Sequence, residues 1–144
     1  ERVLSALSVD MAGCVRKHYK ELDFDMCTYV PMHIDDEKAR GYNQAKIMAE
    51  KIAEELNIPC YPLLQKDYKT KSQHNLPRQL RSGNLLGAIS FNKECGVSIE
   101  NARILLCDDI KTTGATLDEC TKTLLFKNCA EMRFVTIYIG KRKG

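Results

Sequence analysis

The sequence predicts an α/β domain built on a mostly parallel, twisted sheet with helices on both faces. Short apolar runs such as ILLC at 104–107 and RFVTIYI at 133–139 alternate with stretches whose apolar residues recur every three or four positions. Short apolar strands joined by helices favour a parallel sheet covered on both faces. The chain has 144 residues, which suits a single domain over 1–144, with no internal repeat or low-complexity segment.

Residues 1–22 read as an amphipathic helix, with Val3, Leu7, Met11, Cys14, Val15, His18 and Leu22 on its inner face and His18 at the core edge. Residues 27–32 (CTYVPM) read as a first strand, with Pro31 near its end. A polar stretch at 33–41 connects it to a second helix at 43–56. The inner face of that helix is Ala45, Met48, Ala49, Ile52 and Leu56; Asn57 ends it and Pro59 forbids continuation. A second strand is expected at 60–64.

Residues 65–84 are the least regular part. They hold Lys66, Lys69, Lys71, Arg78 and Arg81 against one acid, Asp67, with Pro77 and Gly83. The segment reads either as a small flexible lid or as a solvated hairpin. A strand at 85–91 closes the excursion, and 95–101 is a turn-rich connection. Residues 103–107 form a buried strand that stops at two acids. A third helix follows at 116–127, with Leu117, Cys120, Leu124 and Leu125 inward, and then a last strand at 133–139.

Composition narrows the class. Net charge is +3, too small to argue for nucleic acid, and no aromatic platform with interleaved cations is evident, so direct nucleic-acid binding is not expected. No apolar run reaches the ~20 residues of a membrane helix, and no membrane association is expected. The seven cysteines are odd in number and lack a C-x-x-C pair; Cys14, Cys107 and Cys120 fall within apolar patterns. They read as reduced, buried thiols in a cytoplasmic protein. The chain opens on Glu1 rather than Met, which suggests a fragment lacking an N-terminal segment.

The chemistry concentrates at 104–116, ILLCDDIKTTGAT. Asp108 and Asp109 come at the carboxyl end of an apolar strand, where open α/β sheets bind ligands. A hydroxyl-rich turn through Thr112, Thr113 and Gly114 then opens a helix, with Thr116 as its cap and Glu119 completing a capping box. Free N–H groups and the positive dipole end of a helix suit a phosphate. Two carboxylates suit vicinal hydroxyls. A sugar bearing a phosphate satisfies both halves. There is no G-x-x-x-x-G-K-[ST] and no G-x-G-x-x-G. The plain alternative is an acid pair beside a capped helix.

An apolar strand, two acids and T-T-G-x-T resemble the phosphoribosyl pyrophosphate (PRPP) signature of type I phosphoribosyltransferases. The resemblance implies that Asp108 and Asp109 hold the ribose hydroxyls, and that Thr112, Thr113, Gly114, Ala115 and Thr116 hold the 5-phosphate. Magnesium, the implied cofactor, rides on the pyrophosphate and meets Asp108 and Asp109 mostly through water. Val30-Pro31-Met32-His33 with Arg40-Gly41-Tyr42-Asn43-Gln44-Ala45 resembles the ComF-like, competence-associated family. Gln73, Leu76, Arg81, Asn84, Gly87 and Ala88 extend the likeness, which covers roughly residues 28–139. Members of that family usually carry an upstream Cys-rich, zinc-ribbon-like segment.

The resemblance places His33 and Lys38 near the substrate. It makes Arg40 and Arg81 the cations that stabilise the leaving pyrophosphate, and it favours the lid reading, since PRPP chemistry must exclude water. Some purine-type relatives have a carboxylate in the phosphate loop as a base. Here Thr112 stands there, and no acid lies between Asp109 and Asp118. Two functions follow. One is a phosphoribosyltransferase acting on PRPP and a small-molecule acceptor. The other is a PRPP or nucleotide binder working through competence-machinery proteins in DNA uptake. A homodimer is the oligomer in view.

Overall fold

The computed structural model describes residues 2–68, 87–111 and 114–139. Helix α1 spans Arg2–His18, strand β1 Met26–Tyr29, helix α2 Ile34–Arg40 and helix α3 Gln44–Leu56. Strands β2 (Leu64–Lys66) and β3 (Ile89–Phe91) precede β4 (Arg103–Lys111), helix α4 (Ala115–Phe126) and β5 (Glu131–Ile139). Strands β1, β4 and β5 form a parallel sheet in the order β1-β4-β5. Strands β2 and β3 pair antiparallel as a separate ribbon.

Strand β4 shows why the sheet is covered on both sides. Side chains alternate across a strand, and Ile104, Leu105, Leu106 and Cys107 are all fully buried. Ile104 and Leu106 join Leu117, Cys120 and Leu124 of α4 in one core. Leu105 and Cys107 join Met11, Ala12 and Val15 of α1 and Met48, Ala49 and Ile52 of α3 in the other. Each such aliphatic side chain contributes about 1.5–3 kcal/mol by leaving water, so the strand is anchored from both faces.

Helix α3 matches its sequence pattern. Asn43 caps it by accepting from Ala45 and Lys46 N–H groups, and Asn57 ends it in the left-handed region at φ 55°. Ala45, Met48, Ala49 and Ile52 are buried; Leu56 is half-buried, and Ala53 takes a full place in the core.

Other elements depart from expectation. Helix α1 ends at His18, and its buried residues are Ser8, Met11, Ala12 and Val15. Val3, Leu7, Cys14 and His18 are exposed, and His18 Nδ1 lies 2.9 Å from the Cys14 carbonyl. The helix turns its small residues inward because Ser8 and Ala12, both fully buried, let it pack closely on α3.

The polar stretch after β1 is a helix, α2, with no buried residue. Acids at 35–37 occupy its first turn and Lys38 and Arg40 its last, as the helix dipole favours, and Gly41 stops it at φ 89°. The strand expected at 60–64 is only a parallel bridge, Cys27 to Cys60; the regular pairing comes at β2. Helix α4 starts one residue early, on Gly114 at φ 82°, without a side-chain cap. Thr116 is therefore inside the helix, Glu119 pairs with Lys122 rather than completing a capping box, and Leu125 is exposed.

All seven cysteines are free thiols, with Cys27, Cys107, Cys120 and Cys129 buried. Among the described residues no helix is long and apolar enough to cross a membrane.

Candidate functional site at the carboxyl edge of the sheet

Because β1, β4 and β5 run parallel, their carboxyl ends share one edge of the sheet. Strand β1 stops pairing with β4 at Tyr29 opposite Cys107, and Val30 N–H adds one more bond to the Cys107 carbonyl at 2.9 Å. Strand β4 continues against β5 as far as Lys111 opposite Ile139. Asp108 and Asp109 are thus within the strand and not beyond its end, as the sequence suggested. They sit just past the point where β1 falls away, which opens one side of β4.

Adjacent residues of a strand leave on opposite sides. Asp108 takes the side of Ile104 and Leu106, toward α4. It is buried, and its Oδ1 accepts the Asp109 N–H at 2.9 Å. Asp109 is half-buried, and its carbonyl accepts the Thr136 hydroxyl at 3.4 Å. Beneath Asp108 lies Cys120 of α4, whose thiol is pushed up by burial first and then by the nearby charges of Asp108 and Glu119.

Gly114 is buried and Ala115 and Thr116 are half-buried at the first turn of α4. The left-handed conformation at Gly114 is one that a Cβ disfavours, so the turn into the helix depends on glycine. The Gly114 carbonyl already accepts from Asp118 N–H at 2.8 Å. Thr112, Thr113 and Arg81 lie outside the described residues, as do residues 69–84 of the expected lid at 65–84.

The second wall is the loop after β1. His33 caps α2: its Nδ1 accepts from Asp35 N–H at 3.3 Å and lies 3.7 Å from the Asp35 carboxylate. Lys38 and Arg40 are exposed on the last turn of α2. Asn43, 4% exposed, donates from Nδ2 to the Val30 carbonyl at 3.2 Å and so ties the end of β1 to the start of α3.

One further residue emerges only in three dimensions. Lys66, at the end of β2, is half-buried, and burial pushes its ammonium down from the ordinary lysine value against an opposing pull from Asp36. The β2–β3 ribbon thus carries a half-buried cation whose charge is felt by Asp36 of α2. In sequence Lys66 was one of five cations in a polar stretch, and no local signal distinguished it.

Thr28 of β1 fixes the approach to this ribbon. It is fully buried, donates to the Tyr61 carbonyl at 2.9 Å and accepts from Leu63 N–H at 3.3 Å. A trough of about 370 Å³ between β3 and α4 is lined by Phe91, Lys122, Phe126 and Lys127. It lies toward the far end of α4 from Gly114 and contains none of these residues.

No family model matches the chain. Several curated relatives do, among them two competence proteins. It is 30% identical over 129 residues to "Competence protein ComFC" of Bacillus subtilis, covering 89% of this chain and 49% of the relative. It is 34% identical over 96 residues to "Competence protein F" of Haemophilus influenzae, covering 66% of this chain and 42% of the relative. The purine phosphoribosyltransferase from Pyrococcus horikoshii superposes with a TM-score of 0.56 at 14% identity, over 94% of this chain and 73% of that one. The chain belongs to the ComF-like family. Its fold is that of the type I phosphoribosyltransferases, with the acid-bearing strand at the centre of the described sheet. The chain spans about half the length of the ComF-like relatives named above.

Proposed function

We propose that the chain binds PRPP at the carboxyl edge of its sheet and transfers the phosphoribosyl group to a small-molecule acceptor. The observation that supports this most is the course of β4. It runs through Asp108 and Asp109 beside a gap left by β1 and then enters α4 through a left-handed Gly114. Carboxylates for sugar hydroxyls and a helix start for a phosphate thus follow each other on one edge.

Asp108 and Asp109 hold the ribose hydroxyls, and residues 112–116 hold the 5-phosphate. The acceptor attacks the anomeric carbon as the bond to pyrophosphate breaks, and pyrophosphate leaves with the bonding electrons. Arg40 and Arg81 take up the charge that develops on it, and Lys38 and His33 share the segment that carries Arg40. The acceptor gives up its proton to solvent or to a base outside the phosphate turn, where Thr112 stands.

The described residues include no group of three metal-ligating side chains. A magnesium ion carried mainly by pyrophosphate oxygens and water fits a pair of carboxylates of this kind. When bound, it would neutralise phosphate charge, with Asp108 and Asp109 meeting it through water.

The names of the relatives support a second reading, in which a retained PRPP site serves competence through protein partners. Steady-state pyrophosphate release with PRPP, magnesium and a panel of acceptors, run beside equilibrium binding, separates the two. In a transferase, Arg40→Ala and Arg81→Ala lower kcat at least ~10-fold, about 1.4 kcal/mol of barrier, with a smaller change in PRPP affinity. Tight PRPP binding with no release above the uncatalysed rate overturns the enzyme reading.

A further inference from the structure

The buried amide of Asn43 does two jobs that no single helix cap requires. Its Oδ1 accepts from Ala45 N–H at 3.0 Å and Lys46 N–H at 3.4 Å, capping α3. Its Nδ2 donates in the opposite direction, to the Val30 carbonyl at 3.2 Å. Ser and Asp cap a helix about as well as Asn. Only an amide offers both an acceptor for the helix and a donor that reaches back to the strand.

Val30 is the last residue of this segment that β4 holds, through its N–H on the Cys107 carbonyl at 2.9 Å. Residues 31–42 therefore leave the sheet at Val30 and are caught again at Asn43. Within that closed excursion lie His33, Lys38 and Arg40, carried on a helix with no buried residue of its own. Such a helix has little packing to fix its position. Its ends are therefore one place where its position can be held, alongside the pull between Asp36 and Lys66.

We infer that Asn43 is a positioning residue: its amide clasps the 31–42 excursion shut and so sets where the His33, Lys38 and Arg40 side chains stand against the carboxyl edge. This rests on the reading that the excursion meets the pyrophosphate.

Asn43→Ser tests it, because serine keeps the cap acceptor but is too short to reach the Val30 carbonyl. Hydrogen exchange on the whole chain reads the clasp without any ligand. The expected result is at least tenfold faster exchange of the amides that define α2, including Glu37 N–H to the His33 carbonyl and Gly41 N–H to the Glu37 carbonyl, with α3 amides unchanged. Calorimetry with magnesium pyrophosphate as probe should show at least a tenfold loss of affinity.

Unchanged exchange over 31–42 overturns the inference, as does equal loosening of α3, which would make Asn43 a cap alone. If wild type fails to bind pyrophosphate, the functional reading falls while the exchange result still decides the clasp. Should the serine variant not fold, Asn43→Asp carries the same test, since it keeps the length and the cap but has no donor.

Discussion

Asp108 can be tested in a way that separates chemistry from architecture. Its carboxylate is buried and does a structural job, accepting the Asp109 N–H at 2.9 Å. The substitution Asp108→Asn retains that acceptor through the new amide oxygen; Asp108→Ala removes it. Asp108→Asn should therefore leave the melting temperature close to wild type, whereas Asp108→Ala strands a polar group and costs about 1–3 kcal/mol. Both variants remove the charge that would hold a ribose hydroxyl. A hydrogen bond to a charged group is worth about 1.5–3 kcal/mol, roughly 10- to 150-fold in affinity. Thermal unfolding and PRPP titration calorimetry on the same preparations read the two effects. An Asp108→Asn protein that is stable and binds PRPP as wild type does refutes the ribose role. One that unfolds refutes the structural argument.

Three further outcomes follow from the geometry. Thr28→Val, isosteric but without the hydroxyl, should cost about 1–2 kcal/mol, read as a fall of roughly 3–8 °C in thermal unfolding. The loss stays modest because Leu63 N–H also reaches the Tyr61 carbonyl at 2.9 Å. Gly114→Ala should cost about 1–2 kcal/mol for holding a Cβ in the left-handed region, and weaken PRPP binding beyond that; an unchanged melting temperature would remove the strain argument. Lys66→Met should raise stability at neutral pH while lowering PRPP affinity. The folded state depresses Lys66, so between its folded value and the unfolded 10.5 the unfolded chain binds more protons and wild-type stability rises with pH. The methionine variant should lack that alkaline rise in denaturant titrations.

The sequence was most legible where local chemistry and burial agreed. Helix α3 has an Asn at each end and small or aliphatic residues on one face, so pattern and structure coincide. Helix α1 was read correctly at Met11 and Val15 but wrongly at Val3 and Leu7, which are the more hydrophobic choice, while the close approach of α3 selects Ser8 and Ala12. Hydropathy records transfer energies, not the distance between two helices. Helix α2 has no apolar face to detect, although its acid-first, base-last order and Gly41 spell a helix in charge and stop signals. The reach of β4 through two acids was invisible for another reason. It depends on backbone pairing with β5, which continues after β1 has stopped.

The acid pair and Gly114 stood out in the sequence because they follow an apolar run and lead into a helix pattern. Lys66 and the donor function of Asn43 did not, because each acquires its meaning from a residue on another element, Asp36 for one and Val30 for the other.

The distribution of energetically costly features supports the same location for function. Among the described residues four polar or charged ones are buried: Ser8, Thr28, Asn43 and Asp108. Ser8 simply bonds back along its own helix, to the Leu4 carbonyl at 2.7 Å. The other three lie on β1, at the start of α3 and on β4, and each uses its hydrogen bonds to fix the segments that border the carboxyl edge. Gly114 in the left-handed region opens α4 at the same edge. A fold selected for stability alone would place aliphatic residues at such positions, as it does along β4 at 104–106. Local rules are broken in proteins mostly where function compensates. Here the breaks gather at one edge of one sheet, on segments far apart in sequence.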